Sequence, residues 1–260
     1  MDNQKFIPEV KFELAPIELE AEYLYFFSRT ERRFDAVMNR VYPELEDIIK
    51  KSQNKDEAIL KCRGFAEKVI EKNKAIIFKA KDRIQNDWSM IGKEFLETLA
   101  IHFETEWSRD KSRITGYISI VPVFPRFLGK YSFFIGYKVN TAIAREIIAH
   151  EIVHFLWFKK WKEVFPEIPE DQYESPHLTW RLSEIMDPII LQCHPVIKSL
   201  IQPTMWGYDS FKDLKIRGVG MTEYFVKVYT KCARNGKNFE EILRTVWKEA
   251  QENKEVLEKF

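Results

Sequence analysis

The N-terminal part of the chain carries a mostly helical pattern of apolar and polar positions. Apolar side chains recur at intervals of three and four from Ile17 to about Gln53, with a break at Pro43. The same periodicity predicts a second helix over Ile59–Ile84 and a third over Trp88–Trp107. Ahead of these helices, Lys5–Pro16 alternates weakly, which predicts a short edge strand or an extended lead-in.

In the middle of the chain the pattern changes from helical to alternating. Arg113–Phe124 and Tyr131–Val139 alternate around β-branched and aromatic residues, with a turn region at Pro125–Lys130. These segments predict a β-hairpin or two adjacent strands. Because proline cannot donate to a strand ladder, Pro122 and Pro125 predict that the first strand lies at a sheet edge, where an extended peptide can pair.

Directly after these strands, Thr141–Trp161 predicts one long helix. It contains no Gly or Pro, and Asn140 or Thr141 can cap its N-terminus. The helix is apolar nearly all the way round, a pattern typical of a helix buried in a core. Its polar exceptions include two histidines and a glutamate within five residues, the stretch HEIVH. Burying such groups is costly unless they are paired or bound to a metal ion.

The spacing within HEIVH is that of an HExxH zinc site. His150 and His154 are four residues apart, so they lie about 40° from each other on one helix face and can point at one ion. Glu151 lies roughly 60° beyond His154, within reach of a water on that ion without being a ligand. The alternative is a buried histidine pair that backbone carbonyls satisfy.

The rest of the chain predicts further helices. Val164–His177 is a loop rich in proline and acidic residues, and Leu178–Met186 then has a helical pattern. Asp187-Pro188 is either a kink in that helix or the start of a new one that runs to Ile201. An irregular stretch follows, and the chain closes with two helices, Met221–Arg234 and Phe239 to about Leu257.

A catalytic zinc site has three protein ligands and one open position. The favoured third ligand is Glu184, which lies in a predicted helix behind the HExxH helix. Asp187, one turn further along, can be the partner of a zinc-bound histidine. His177, Glu174 and His194 are the alternatives for the third ligand.

From about Ile114 to Ile190 the chain resembles the gluzincin branch of the zincin metallopeptidases. The resemblance rests on HEIVH and on the order of elements around it. In gluzincins a small sheet with a substrate-binding edge strand precedes the HExxH helix, and a helix with a glutamate ligand follows it. Two features depart from known patterns. First, gluzincins commonly have an acidic residue four positions after the ligand glutamate, whereas Asp187 stands three positions after Glu184. Second, the metzincin pattern is absent, because Trp157 and Lys160 occupy the positions of its Gly and third His.

The resemblance implies a fold class and a domain organisation. We expect an α+β, mostly helical protein, with a helical N-terminal region at residues 1–107 packed on a zincin-like metallopeptidase domain at residues 108–260. It also implies one Zn²⁺ per chain, a peptide or protein substrate, and Glu151 as the general base that takes the proton of the attacking water. The donor for the developing oxyanion then comes from downstream, and the candidates are His194, Tyr208, Tyr224 and Tyr229.

Composition restricts the other possibilities. Lys and Arg total 41 against 40 Asp and Glu, so no overall charge favours nucleic acid or a membrane surface. Three widely separated cysteines form no disulfide framework, and the N-terminus has no signal-peptide pattern, so the expected location is the cytoplasm. The favoured function is a zinc-dependent peptide hydrolase. The alternative is a non-catalytic binding or regulatory module on a zincin scaffold with a structural metal site, and a hydrolase of a non-peptide bond is a third hypothesis.

Overall fold

The computed structural model describes residues 5–31 and 34–260. In this part of the chain the protein is α+β and mostly helical, as predicted. The helices of the described ranges are α1 (Ile17–Arg29), α2 (Asp35–Val41), α3 (Pro43–Lys50), α4 (Lys55–His102), α5 (Thr141–Val164), α6 (Leu178–Cys193), α7 (Pro195–Ile201), α8 (Met221–Arg234), α9 (Phe239–Glu252) and α10 (Lys254–Leu257). The strands are β1 (Glu9–Leu14), β2 (Arg113–Ser119), β3 (Arg126–Phe127), β4 (Ser132–Gly136), β5 (Lys215–Ile216) and β6 (Val219–Gly220). Within the described ranges, no helix combines the length and apolar character that crossing a membrane requires.

Residue contacts divide the chain into two compact units that are not contiguous in sequence. The sheet unit consists of Pro8–Met90 and Lys111–Arg145. The helical unit consists mainly of Ile91–Asp110 and Glu146–Phe260. This division differs from the single boundary between residues 107 and 108 that we expected, because each unit takes part of α4 and part of α5.

The sheet unit contains a four-stranded sheet in the order β1-β2-β4-β3. β1 lies at one edge, as the weak alternation of Lys5–Pro16 predicted. The two central strands, β2 and β4, are adjacent, which confirms the second of the two predicted alternatives. They run parallel, so the hairpin alternative is wrong. β2 is also not an edge strand. Pro122 and Pro125 follow its last residue, and the second edge belongs to β3, which pairs antiparallel with β4.

Gly116 in β2 allows the sheet to pack closely against its own aromatic side chains. A Cβ atom at this position would lie 2.4 Å from Cε1 of Phe12 and 3.2 Å from Cζ of Phe133. These residues are its partners in the register, Phe12 on β1 and Phe133 on β4. Only a residue without a side chain therefore fits between the two rings.

Two helix predictions were wrong in the same way. The helices expected at Ile59–Ile84 and Trp88–Trp107 are one helix, α4, which ends at His102. The residues between them make tertiary contacts in the sheet unit: the Gln85 side chain accepts a hydrogen bond from Phe12 N at 3.0 Å, and Asp87 pairs with Arg145 at 2.6 Å. At Asp187-Pro188, where two alternatives were open, α6 continues through Pro188, so no new helix starts there, and the next helix begins at Pro195.

The buried Glu20 connects α1 to the end of β2. Its carboxylate accepts hydrogen bonds from Ser119 Oγ at 2.8 Å and from Ile120 N at 3.0 Å. Burial raises the pKa of Glu20 to about 7, although these hydrogen bonds favour the charged form and oppose the rise. The folded state therefore takes up a proton on Glu20 more readily than the unfolded chain does.

The raised pKa of Glu20 predicts a pH-dependent stability. The folded-state pKa of Glu20 lies above the ordinary value of 4.5. Protonated Glu20 therefore stabilises the folded state fully below pH 4.5, and this stabilisation is lost as the pH rises through about 7. Relative to Glu20→Gln, the wild-type free energy of unfolding should fall by about 3 kcal/mol over this range. Urea unfolding of both proteins at several pH values measures the difference. A difference that does not change with pH would contradict the assignment.

Candidate metal centre

Helix α5 presents the HEIVH residues from inside the helical unit. Ile143 N donates to Asn140 Oδ1 at 2.9 Å, so Asn140, one of the two predicted caps, holds the N-terminus. The middle of α5 is buried around most of its circumference, as the apolar pattern predicted, and the side chain of His154 is 0% exposed. The side chain of His150 is 24% exposed, so this ligand candidate borders solvent.

Helix α6 brings Glu184 to the two histidines. Every residue from Thr179 to Gln192 is buried. Arg181 secures the start of the helix by donating to Pro176 O at 2.9 Å and to Leu257 O at 3.3 Å. Pro188 has no N–H to donate to the carbonyl of Glu184, so the regular helical hydrogen bond at Glu184 cannot form. The carboxylate is therefore supplied by a rigid, fully packed helix with one local irregularity.

The side chains of His150, His154 and Glu184 form a compact triangle, in which the Nε2 atom of each histidine faces a different oxygen of the Glu184 carboxylate. The Nε2 atoms of His150 and His154 are 3.2 Å apart. Oxygens of Glu184 lie 3.4 Å from Nε2 of His150 and 3.5 Å from Nε2 of His154. In a tetrahedral zinc site with ligand bonds of 2.0–2.1 Å, the ligand atoms are about 3.3–3.4 Å apart. The donor set and these separations are therefore compatible with a zinc ion held by the three side chains.

Asp187 lies on the other side of the His154 ring. Its Oδ2 atom is 2.8 Å from Nδ1 of His154, and both side chains are 0% exposed. A carboxylate at this position keeps the proton on Nδ1 and directs the lone pair of Nε2 towards the triangle. The sequence had suggested Asp187 as the partner of a metal-binding histidine.

A second ligand set also satisfies a simple distance criterion. Ligand atoms of His150, His154 and Asp187 all lie within 4.8 Å of one another. We favour Glu184 over Asp187 as the third ligand, because Asp187 is at hydrogen-bonding distance from the nitrogen that faces away from the triangle. Glu184 has an oxygen at a suitable distance from each Nε2 atom.

The surroundings of His150 favour a positive charge. Burial alone would lower its pKa, but the hydrogen bond to Glu184 and the charges of Glu151, Glu184 and Asp187 raise it to about 9. Three carboxylates thus stabilise whatever cation is shared between the two histidines. Glu151 is 6% exposed and acts on His150 through its charge, which agrees with its predicted place beside the ligands.

Aromatic packing fixes the ring of His154. The ring stacks on Phe158 with centroids 5.9 Å apart and an angle of 14°. Phe158 in turn stacks on Tyr173 at 4.6 Å, in the loop between α5 and α6. Sequence reasoning missed this stack, although Phe158 follows His154 at helical spacing and so had to share its face.

The alternative third ligands lie elsewhere. Glu174 and His177 are exposed and precede α6. His194 follows Glu184 by ten residues, which is about 15 Å along the helix. Its ring packs against His102 with centroids 4.9 Å apart, and its Nδ1 atom accepts from Ile197 N.

The four oxyanion candidates separate into two groups. His194 and Tyr229 both contact His102, and the Tyr229 hydroxyl lies 3.2 Å from Nε2 of His102. This cluster lies beyond the C-terminal end of α6. Tyr224 donates to the Glu249 carboxylate between α8 and α9. Tyr208 is 42% exposed and follows Gly207, whose Cβ position would be 3.6 Å from Pro188. Tyr208 is thus next in sequence to a residue whose backbone approaches α6 at Pro188, one helical turn after Glu184.

Comparisons with known proteins identified no similar protein. Searches of protein-family models, of curated proteins and of solved structures each found no match to the chain.

The two ligand sets predict different metal contents. We expect both Glu184→Ala and His150→Ala to lose zinc, because each variant lacks one of the three ligands. Asp187→Asn should still bind zinc but about 10–100-fold more weakly, because it perturbs only the support of His154. Elemental analysis and zinc titration measure both, with the exposed Glu174→Ala as control. Full binding by Glu184→Ala together with none by Asp187→Asn would establish the set that contains Asp187.

Proposed function

We propose that this protein is a zinc-dependent peptide hydrolase. The observation that carries the proposal is the approach of two imidazole nitrogens, 3.2 Å apart, to one carboxylate, whose two oxygens lie 3.4 Å from Nε2 of His150 and 3.5 Å from Nε2 of His154. Its ligands are His150, His154 and Glu184, with Asp187 as the support of His154. Glu151, the residue next to a ligand, is the remaining carboxylate of the HExxH motif.

The proposed class is a gluzincin-like zincin. Support comes from the order of the elements, since a small sheet precedes the HExxH helix α5 and the glutamate-bearing helix α6 follows it. The sheet ends in an antiparallel edge strand, β3, of two residues. The proposal includes a cytoplasmic location, which the free thiols of Cys62, Cys193 and Cys232 support.

The reaction divides between the metal and the chain. A zinc ion held by His150, His154 and Glu184 would supply Lewis acidity to a substrate carbonyl and to the attacking water. Glu151 accepts the proton of the attacking water and passes it to the nitrogen of the leaving amine. Asp187 holds the ring of His154 in place during both steps. His150 is the most exposed of the three ligands, so substrate approaches from its side.

Glu151→Gln separates metal binding from catalysis. The amide cannot accept the proton of water, so we expect peptide hydrolysis to fall at least about 100-fold while one zinc per chain remains bound. The test is cleavage of a broad peptide library by zinc-loaded protein, followed by single-peptide kinetics. Glu163→Gln, on the exposed end of the same helix, is the control and should keep wild-type activity.

Three results would change the proposal. Zinc binding without cleavage by the wild type would favour a non-catalytic, metal-stabilised binding module. Cleavage that Glu151→Gln does not reduce would remove Glu151 from the mechanism. Hydrolysis of esters or other bonds but not of peptides would redirect the search for substrates.

Tyr208 is the proposed donor to the oxyanion. Loss of one such donor typically lowers kcat by about 100-fold or more, so Tyr208→Phe should show this decrease with little change in KM. Tyr224→Phe and Tyr229→Phe are matched controls, since their hydroxyls contact Glu249 and His102. If Tyr208→Phe cleaves at the wild-type rate, the oxyanion is stabilised without this hydroxyl.

A further inference from the structure

A short segment between α7 and α8, residues 202–208, exposes three large apolar side chains. Met205 is 40% exposed, Trp206 43% and Tyr208 42%. They stand close together in sequence, whereas the other exposed large apolar residues of the helical unit, Ile101 and Val196, are isolated. A local concentration of exposed apolar side chains on a soluble surface commonly marks a binding site.

Helix α5 holds this segment by a buried carboxylate. Glu146 is 4% exposed and accepts hydrogen bonds from Thr204 N at 2.9 Å and from Met205 N at 2.6 Å. It also accepts from the Thr204 hydroxyl at 3.1 Å. Such charge-assisted bonds to backbone are among the stronger ones in proteins. Glu146 precedes His150 by one helical turn, about 6 Å along the axis.

Helix α6 holds the same segment at two further points. The Gln192 side chain donates to Pro203 O at 2.8 Å and to Met205 O at 3.3 Å. Gly207 has a φ of +94°, and a Cβ there would lie 2.5 Å from the Phe211 ring and 3.6 Å from Pro188. This close approach requires glycine. Pro188 follows Glu184 by one turn, so both helices that carry metal ligands also fix the 202–208 segment.

The fixed backbone explains why the apolar side chains stay exposed. A mobile loop would fold Met205 and Trp206 onto the nearest apolar surface, because burial of each would stabilise the protein. The contacts with Glu146, Gln192 and Pro188 set the backbone instead. The side chains therefore remain available to a ligand that binds beside the metal centre.

We propose that Met205 and Trp206 bind a large apolar side chain of the peptide substrate, adjacent to the scissile bond. This inference rests on the proposed peptide hydrolase. The occupant follows from position: Glu146, which binds the segment, lies one turn before His150, and Pro188, which Gly207 approaches, lies one turn after Glu184, so a peptide held at these ligands passes beside the segment. The segment thus sets substrate preference, and Glu146 is its positioning residue.

The test compares two peptides that differ in one side chain. From a peptide that the wild type cleaves, a matched pair is made with Leu or Ala beside the scissile bond. For the zinc-loaded full chain, Trp206→Ala and Met205→Ala should lower kcat/KM on the Leu peptide by about tenfold or more and leave the Ala peptide unchanged. Val196→Ala, an equally exposed residue of the same unit, is the control and should keep the wild-type preference.

Glu146→Gln tests the positioning. An amide cannot replace a carboxylate that accepts several hydrogen bonds, so the segment should loosen, and the Leu preference should fall through KM with kcat retained. Zinc content and melting temperature show whether the variants fold. A wild type that cleaves no peptide refutes the proposed function. If the wild type cleaves peptides but Trp206→Ala and Met205→Ala keep its preference for Leu, this inference is refuted and the proposed function is not.

Discussion

Two buried helices of the helical unit meet through ionisable side chains, and the rest of the site depends on this contact. His154 reaches Asp187 with one ring nitrogen and Glu184 with the other, and none of the three side chains is more than 3% exposed. Isolated buried charges would be strongly destabilising. The arrangement is stable only if the groups compensate one another or share a cation, and each Nε2 atom of the histidine pair has a Glu184 oxygen within 3.5 Å.

This contact also organises the periphery of the site. The stack from His154 through Phe158 to Tyr173 connects the candidate metal centre to the loop before α6. Glu146 and Gln192 extend from the same two helices to the 202–208 segment. Helices α5 and α6 thus position both the proposed ligands and the proposed substrate-binding side chains. A change in the packing of these helices should therefore affect metal affinity and peptide preference together.

Local patterns predicted the centre of the site and missed its surroundings. Helical periodicity placed His150 and His154 on one face, and the helix behind them made Glu184 and Asp187 candidates. The parallel pairing of β2 with β1 and β4 was missed, because its partners are distant in sequence and alternation does not reveal strand direction. Glu146 was missed because its function depends on Thr204, 58 residues away. Pro188 was an ambiguous signal, because a proline inside a helix removes one hydrogen bond and either kinks the helix or ends it.

The proposed hydrolase requires one zinc ion bound by His150, His154 and Glu184. A crystal structure of zinc-loaded protein, with anomalous diffraction measured at the zinc absorption edge, locates the ion directly. We expect one anomalous peak about 2.0–2.1 Å from both Nε2 atoms and from a Glu184 oxygen, with no protein atom in the fourth position. A peak coordinated by Asp187 in place of Glu184, or no peak at this site, would contradict it.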